Sequence, residues 1–212
     1  MSRSLVAREG YPLIGAAAGI MLLLLLVGWK VPATVAALLT AFIISFFRDP
    51  ERLSPAEPDL ILSPADGRVI KIASVQDDRF LKGEATLVSI FMSPLNVHVN
   101  RNPMSGRVID IRYNPGKYFR AFADKASLDN EQNAVLVEDE RGRRMCYVQI
   151  AGFLARRIVC YLQVGMSVER GQRYGMIMFG SRADIYLPAE ALLRVRVGDR
   201  AFGGVTVIGK WA

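Results

Sequence analysis

The pair Gly180-Ser181, inside Phe179-Gly180-Ser181-Arg182, holds the two groups that an N→O acyl shift needs. Gly180 has no Cβ, so its carbonyl is open to attack and its backbone reaches conformations closed to other residues. Ser181 places a hydroxyl one residue beyond that carbonyl. An apolar run at 176–179 precedes the pair and Ile185-Tyr186-Leu187 follows it, which predicts two strands flanking a sharp, partly buried bend. Gly-Ser is also an ordinary turn dipeptide. The choice between the two readings rests on what else the chain carries.

Three other polar clusters qualify. Ser63-Pro64-Ala65-Asp66-Gly67 reads as a turn, in which Asp66 either caps the backbone or offers a carboxylate. His98 is the single histidine, the one side chain whose unperturbed pKa lies near neutrality. It is a candidate general acid or base, and equally a structural histidine. Val97-His98-Val99-Asn100-Arg101 alternates, which places His98 and Asn100 on one strand face and the valines on the other. Asn130-Glu131-Gln132-Asn133 is a polar run just before a strand, a loop or a site. Cys146 and Cys160 lie in apolar runs and are expected as buried thiols. With one histidine, no structural metal site is expected.

Mostly short strands must position these residues. Strand patterns occur at 60–62, 68–75, 85–92, 107–112, 176–179, 193–197 and 205–208, and a hairpin joins 134–138 to 145–149. One short helix is expected within 119–130. The run 145–164 is not a membrane span, because Arg156 and Arg157 interrupt it. It reads as two strands bent at Gly152 or near the arginines. The expected fold class is mainly β, a β-sandwich or barrel-like domain with few short helices, preceded by a hydrophobic helical hairpin.

That hairpin follows from composition. The chain has 212 residues, 51% of them hydrophobic, with mean hydropathy +0.23. Residues 11–29 and 31–47 are free of charge, and only Lys30 separates them. Each run is near the short end of the roughly 17–25 residues that span a bilayer. Gly28 and Pro32 mark a tight turn between them. A second apolar run behind the first, with no small-residue cleavage site, argues for an uncleaved anchor over a signal peptide. Arg3 and Arg8 precede the hairpin, and Arg48 and Arg52 follow it. Positive-inside logic puts both ends, and the rest of the chain, on the cytoplasmic side of the cell membrane. The expected domains are a 1–47 anchor, a 48–59 linker with Pro50, Pro55 and Pro58, and a 60–212 domain.

The formal net charge is +7, and residues 48–212 hold 24 basic against 19 acidic side chains, net +5. No zinc pattern, stacking platform or basic helix accompanies the charge, so nucleic acid is not an expected partner. Attraction to anionic lipid headgroups or a generic solvated surface accounts for it.

Taken in order, Pro64-Ala65-Asp66-Gly67, Met92-Ser93-Pro94-Leu95-Asn96-Val97-His98, Asn130-Glu131-Gln132-Asn133 and Gly180-Ser181-Arg182 resemble one family. It is the short (type A) form of phosphatidylserine decarboxylase, a pyruvoyl-dependent proenzyme. The resemblance covers about residues 60–212. Each motif is weak singly, and the ordered set is specific. It implies self-cleavage between Gly180 and Ser181, which converts Ser181 into a covalent pyruvoyl cofactor with no metal. It implies that phosphatidylserine forms a Schiff base with that group, loses CO2 and leaves as phosphatidylethanolamine. The product chains, 1–180 and 181–212, stay together as a heterodimer at the membrane, with higher oligomers left open.

By the same resemblance Ser181 is the pyruvoyl precursor. Asp66 matches an aspartate tied to self-cleavage, and His98 a histidine near the reacting carbon. Two departures matter. Longer forms carry a second histidine where this chain has Arg101, and tend to read Gly-Ser-Thr where it has Gly-Ser-Arg182. Either His98 does both jobs or Asp66 works with another partner. Arg156, Arg157, Arg182, Asn130 and Asn133 are candidates to hold the lipid phosphate or serine carboxylate. A salt-bridged structural arginine is the competing assignment. The rival functions are a membrane-anchored lipoyl-like β-sandwich adaptor, suggested by Val168-Glu169-Arg170-Gly171-Gln172, and a membrane serine hydrolase. The hydrolase lacks a Gly-x-Ser-x-Gly elbow. A diacyl and an archaeal ether lipid are both compatible with the residues.

Overall fold

A computed structural model of the chain describes residues 5–116, 130–152, 157–178 and 181–212. They fall into two units divided between Glu51 and Arg52. Most of the helix expected within 119–130 lies outside the described residues, as do Arg156 and Gly180.

The first unit is a helical hairpin. A short 3-10 turn, Arg8–Gly10, runs into α1 (Tyr11–Leu26), and α2 (Lys30–Phe46) packs against it. The turn between them passes through Gly28 at φ +78, a conformation that favours glycine. Ala7 N–H donates to Phe47 O and Asp49 N–H to Leu5 O, which ties the two ends of the hairpin together. Helix α1 is apolar on all sides, and Leu22, Leu23, Leu25 and Leu26 are more than half exposed. In a globular protein such a helix would be buried. With the preceding turn it is long and apolar enough to cross a bilayer, by length and composition; α2 is shorter.

The described residues of the second unit form fourteen strands. In chain order they are β1 (Leu60–Leu62), β2 (Gly67–Asp77), β3 (Gly83–Met92), β4 (Val99–Arg101), β5 (Gly106–Asn114), β6 (Gln132–Glu138) and β7 (Arg144–Ala151). Then follow β8 (Ile158–Cys160), β9 (Ser167–Val168), β10 (Arg173–Ile177), β11 (Ser181–Pro188), β12 (Leu192–Leu193), β13 (Arg200–Ala201) and β14 (Val207–Lys210). Eight form one curled antiparallel sheet in the order β13-β2-β3-β11-β7-β6-β5-β9. Two three-stranded sheets, β1-β14-β12 and β4-β10-β8, complete a mainly β, half-barrel architecture.

Both faces of the central strands are buried. Val88, Ile90, Val135, Tyr147 and Ile185 pack on one side, and Leu87, Leu136, Cys146, Val148 and Ile150 on the other. That is why these strands read as continuous apolar runs. Each valine, leucine or isoleucine among them contributes roughly 1.5–3 kcal/mol on full burial.

Two strand expectations change. The strand expected at 193–197 is reduced to Leu192–Leu193, because Arg196 N–H turns to the Asp199 carboxylate and Val197 is exposed. The strand expected at 176–179 runs from Arg173 to Ile177, where it pairs with both β4 and β8. Residues 52–59 form no strand, yet hydrogen bonds pin them to the fold. Ser54 Oγ donates to Gly204 O, Arg170 Nη2 to Pro55 O, and Trp211 N–H to Asp59 O.

Candidate active site

Ser181 opens β11, which lies between β3 and β7 in the middle of the large sheet. It pairs with Met92 on one side and Ala151 on the other. Alternation along β11 then separates two sets. Ser181, Ala183 and Ile185 share one face, and Arg182, Asp184 and Tyr186 the other.

Ser181 is fully buried, and its Oγ donates to Met92 Sδ at 3.2 Å. A thioether is a weak acceptor and no base. Ala65, Met92, Ala151, Ile177 and Ala183 form an apolar cluster around it. A chain of amides borders that cluster. Asn133 Nδ2 donates to Gln149 Oε1 (3.3 Å) and Gln149 Nε2 to Asn100 Oδ1 (2.9 Å). Asn100 Nδ2 lies 3.9 Å from Met92 Sδ and 3.5 Å from Pro64 O. All three amides are buried, and none carries charge. The surroundings are dry and neutral, where an isolated ion would be costly and a polar neutral group can be hydrogen-bonded.

His98 is buried just before β4, and its backbone carbonyl accepts from Ile177 N–H. The Ser93-Pro94-Leu95-Asn96 turn positions it. Asn96 Oδ1 accepts from both Ser93 N–H and Ser93 Oγ, and Asn96 O lies 3.0 Å from His98 Nδ1. A carbonyl at that distance calls for the proton on Nδ1, so that in the neutral ring Nε2 is the proton-accepting nitrogen. Val97, Val99 and Asn100 are as buried as His98, so the alternation read from the sequence does not separate inside from outside.

Asp66 sits in the Ser63–Gly67 turn and its acceptor sites are largely taken. Arg52 Nη1 and Nη2 donate to its two oxygens at 2.5 and 2.7 Å, and Gly203 N–H adds a third bond at 2.8 Å. Arg52 Nη1 also donates to Gly203 O at 2.7 Å. The next residue must be glycine, since a Cβ at Gly67 would lie 2.1 Å from Phe91 O. Arg101 donates to Gly171 O at 3.0 Å, and its backbone N–H to Pro64 O.

The other candidates separate. Arg182 lies on the face away from Ser181 and is bidentate with Asp184, Nε to Oδ1 and Nη2 to Oδ2, both at 2.6 Å. Their side chains are 2% and 0% exposed, so Arg182 takes the structural assignment over substrate binding. Asn130 Nδ2 donates to Ala151 O beside Ser181, and Asn133 belongs to the amide chain. Arg157 is exposed. Burial pushes the Cys146 thiol well above its ordinary 9.0 and raises Cys160, so neither is a nucleophile at neutral pH. A cleft of about 790 Å³ lined by Asp59, Arg107, Glu138, Arg141, Arg143 and Trp211 shares no residue with this site and mixes both signs of charge.

Sequence reasoning missed Arg52, Asn100 and Gln149. Gln149 left a signal, a long polar side chain in the otherwise apolar run Met145-Cys146-Tyr147-Val148-Gln149-Ile150-Ala151. Arg52 left none, since three prolines separate it from Asp66 along the chain only.

Residues 39–209 match the family described as phosphatidylserine decarboxylase. Proteins named phosphatidylserine decarboxylase proenzyme are similar over nearly the whole chain. That of Syntrophotalea carbinolica is 52% identical, covering 96% of this chain and 95% of its own. That of Solidesulfovibrio magneticus is 48% identical, covering 98% and 96%. That of Burkholderia cenocepacia is 43% identical, covering 97% and 96%. A match over most of the chain, by family and by individual relatives, decides the membership: this chain belongs to the phosphatidylserine decarboxylase family.

Proposed function

We propose that this chain converts phosphatidylserine to phosphatidylethanolamine and CO2, using a pyruvoyl group made from its own Ser181. Family membership and the proenzyme names of the relatives support the reaction. The observation that carries the assignment to Ser181 is its burial at the start of β11 with its hydroxyl on a thioether. A hydrolase nucleophile would instead be hydrogen-bonded to its base.

The maturation steps balance within the chain. Ser181 Oγ adds to the Gly180 carbonyl carbon, the C–N bond breaks, and the hydroxyl proton ends on nitrogen, leaving an ester. Loss of the Ser181 Cα proton breaks the Cβ–O bond and releases Gly180 as a carboxylate. Water then converts the dehydroalanine at 181 to a ketone with loss of ammonia. His98, with Nε2 as its proton acceptor, is the base for these transfers. Asp66, already accepting three donors, anchors rather than accepts a proton. His98 therefore takes both jobs left open by Arg101.

The surroundings of Ser181 fit a neutral ketone. Met92, Ala151 and Ala183 exclude water, and the amides of Asn100 and Gln149 are uncharged. Once formed, the ketone supplies the electrophile for the substrate's primary amine and the electron sink for loss of CO2. His98 then returns the proton to carbon, and exposed Arg157 is the described candidate to meet the headgroup. After the cut, residues 181–212 stay bound, because β11 pairs with β3 and β7 and β14 pairs with β1. The 1–47 hairpin anchors the enzyme with its catalytic domain on the cytoplasmic side. The test is release of CO2 from phosphatidylserine in mixed micelles by the wild type and by Ser181→Ala. Turnover by the alanine variant would contradict the proposal.

A further inference from the structure

The edge of the large sheet carries a patch that the site does not use. Strand β13 pairs with β2 through Arg200 opposite Arg68 and Ala201 opposite Gly67. Paired side chains project to one face, and like charges placed directly opposite destabilise a sheet. Arg68, Arg196 and Arg200 are all exposed. Among the described residues none of the three forms an ion pair. Arg68 Nη1 donates to Gly198 O at 3.1 Å, and the neighbouring Asp199 carboxylate accepts from Arg196 N–H.

Large apolar side chains stand among these cations. Val197 is 60% exposed, Phe202 51% and Leu53 95%. Ala201 is buried between Arg200 and Phe202, so those two project outward together. Leu53 is held against the same turn, because Arg52 donates to Gly203 O and Ser54 Oγ to Gly204 O. The turn is rigid. Val205 N–H and Thr206 N–H both reach Phe202 O, and Phe202 N–H reaches Thr206 Oγ1. Phe202 is thus held in water by a well-bonded backbone.

We propose that Arg68, Arg196 and Arg200, with Val197, Phe202 and Leu53, form the surface on which the catalytic unit rests on an anionic bilayer. The apolar side chains enter the interface, and the guanidinium groups meet lipid phosphates. Exposed apolar groups rimmed by one sign of charge fit a lipid surface of the opposite sign, with polar headgroups above and hydrocarbon below. The patch is one layer from the site. Gly203 lies against Ala65 and donates to Asp66, and Ala65 belongs to the apolar cluster around Ser181. The choice of a bilayer as partner rests on the decarboxylase reading, which makes a membrane lipid the substrate.

The test uses the full chain with Phe202→Cys carrying an environment-sensitive NBD dye. Wild-type protein is the labelling control, since Cys146 is buried and Cys160 partly so. The dye is read on vesicles of phosphatidylcholine alone and of phosphatidylcholine with phosphatidylglycerol, which has no amine to react. A blue shift is expected on the anionic vesicles only, and none from a dye at Glu140→Cys on the β6–β7 turn. The shift should vanish in 1 M salt, where screening acts over about 3 Å. It should also vanish in the triple variant Arg68→Gln, Arg196→Gln, Arg200→Gln. Three arginines near an anionic surface are worth on the order of a hundredfold in binding. That variant should still self-cleave and should turn over dispersed short-chain phosphatidylserine at the wild-type rate. Equal emission on neutral and anionic vesicles would overturn the proposal, as would a shift that survives the triple variant. So would a shift produced by single-stranded nucleic acid and not by vesicles. Should Phe202→Cys not fold, Leu53→Cys reports from the same patch. A wild type that never turns over short-chain substrate would sink the decarboxylase reading alone, leaving the vesicle shift to stand or fall separately.

Discussion

Arg52→Ala strands a carboxylate that has one remaining donor, the Gly203 N–H. The pair is nearly dry, with side chains 11% and 6% exposed. Removing one partner of a buried ion pair costs about 3–5 kcal/mol, most of it the orphaned charge. For a domain of this size each kcal/mol lowers Tm by about 2–4 °C, so a drop of roughly 10 °C is expected. The measurement is thermal melting in the Ser181→Ala background, where every variant stays one covalent chain. Arg52→Ala with Asp66→Asn removes the orphaned charge and should recover much of the loss, with a coupling of about 1–3 kcal/mol. Arg52→Lys keeps the charge without the two-pronged geometry and should fall between. In the wild-type background Arg52→Ala should weaken the association of the two chains after the cut, since Arg52 and Asp66 of the large chain both bond Gly203 of the small one. A drop under about 2 °C, or losses that simply add in the double variant, would refute the reasoning.

Other outcomes follow from the same structure. His98→Ala should abolish turnover and leave uncut chain on a denaturing gel; a variant that cuts normally yet cannot decarboxylate would restrict His98 to the second step. Arg143 hydrogen-bonds Asp59 and holds its carboxyl below the ordinary 3.8. A group depressed in the fold stabilises above its unfolded value and loses that stability as pH falls through the folded one. Asp59→Asn should therefore flatten the fall of Tm below about pH 4 and leave Tm unchanged in its pH dependence near neutrality. A protein starting at Arg52 should melt above one starting at Leu60, because the shorter chain lacks the bonds of Arg52 and Ser54 to Gly203 and Gly204; equal melting points would make residues 52–59 a passive linker.

The strands that carry the site were legible wherever burial on both faces leaves an unbroken apolar run, as in β3 and β7. The β6–β7 hairpin was legible because Asp139 to Arg144 is polar between two such runs. Residues 193–197 misled for a physical reason. Valine and leucine alternating with arginine look like a half-buried strand, but Asp199 captures the Arg196 N–H and the chain turns at Gly198, leaving Val197 in water. The chemistry proposed for Ser181 and His98 rests on residue type, which the sequence shows directly. Their fixed geometry was not legible, because it depends on Met92 and Asn100, whose contacts are set by strand pairing, and on Asn96 in the turn that holds His98. The partner of Arg182, Asp184, went unread, although period two puts both on one strand face. Arg52 was unreadable, because only the folded path of residues 52–66 brings it to Asp66.

The most direct test of the central claim is the intact mass of purified, active protein under denaturing conditions. Two chains are expected, residues 1–180 with a free carboxylate and residues 181–212. The small chain should be lighter by one ammonia than a peptide beginning with serine, and hydroxylamine should add to its terminal ketone. Active protein that shows a single mass for the uncut chain, with an unmodified Ser181, would contradict it.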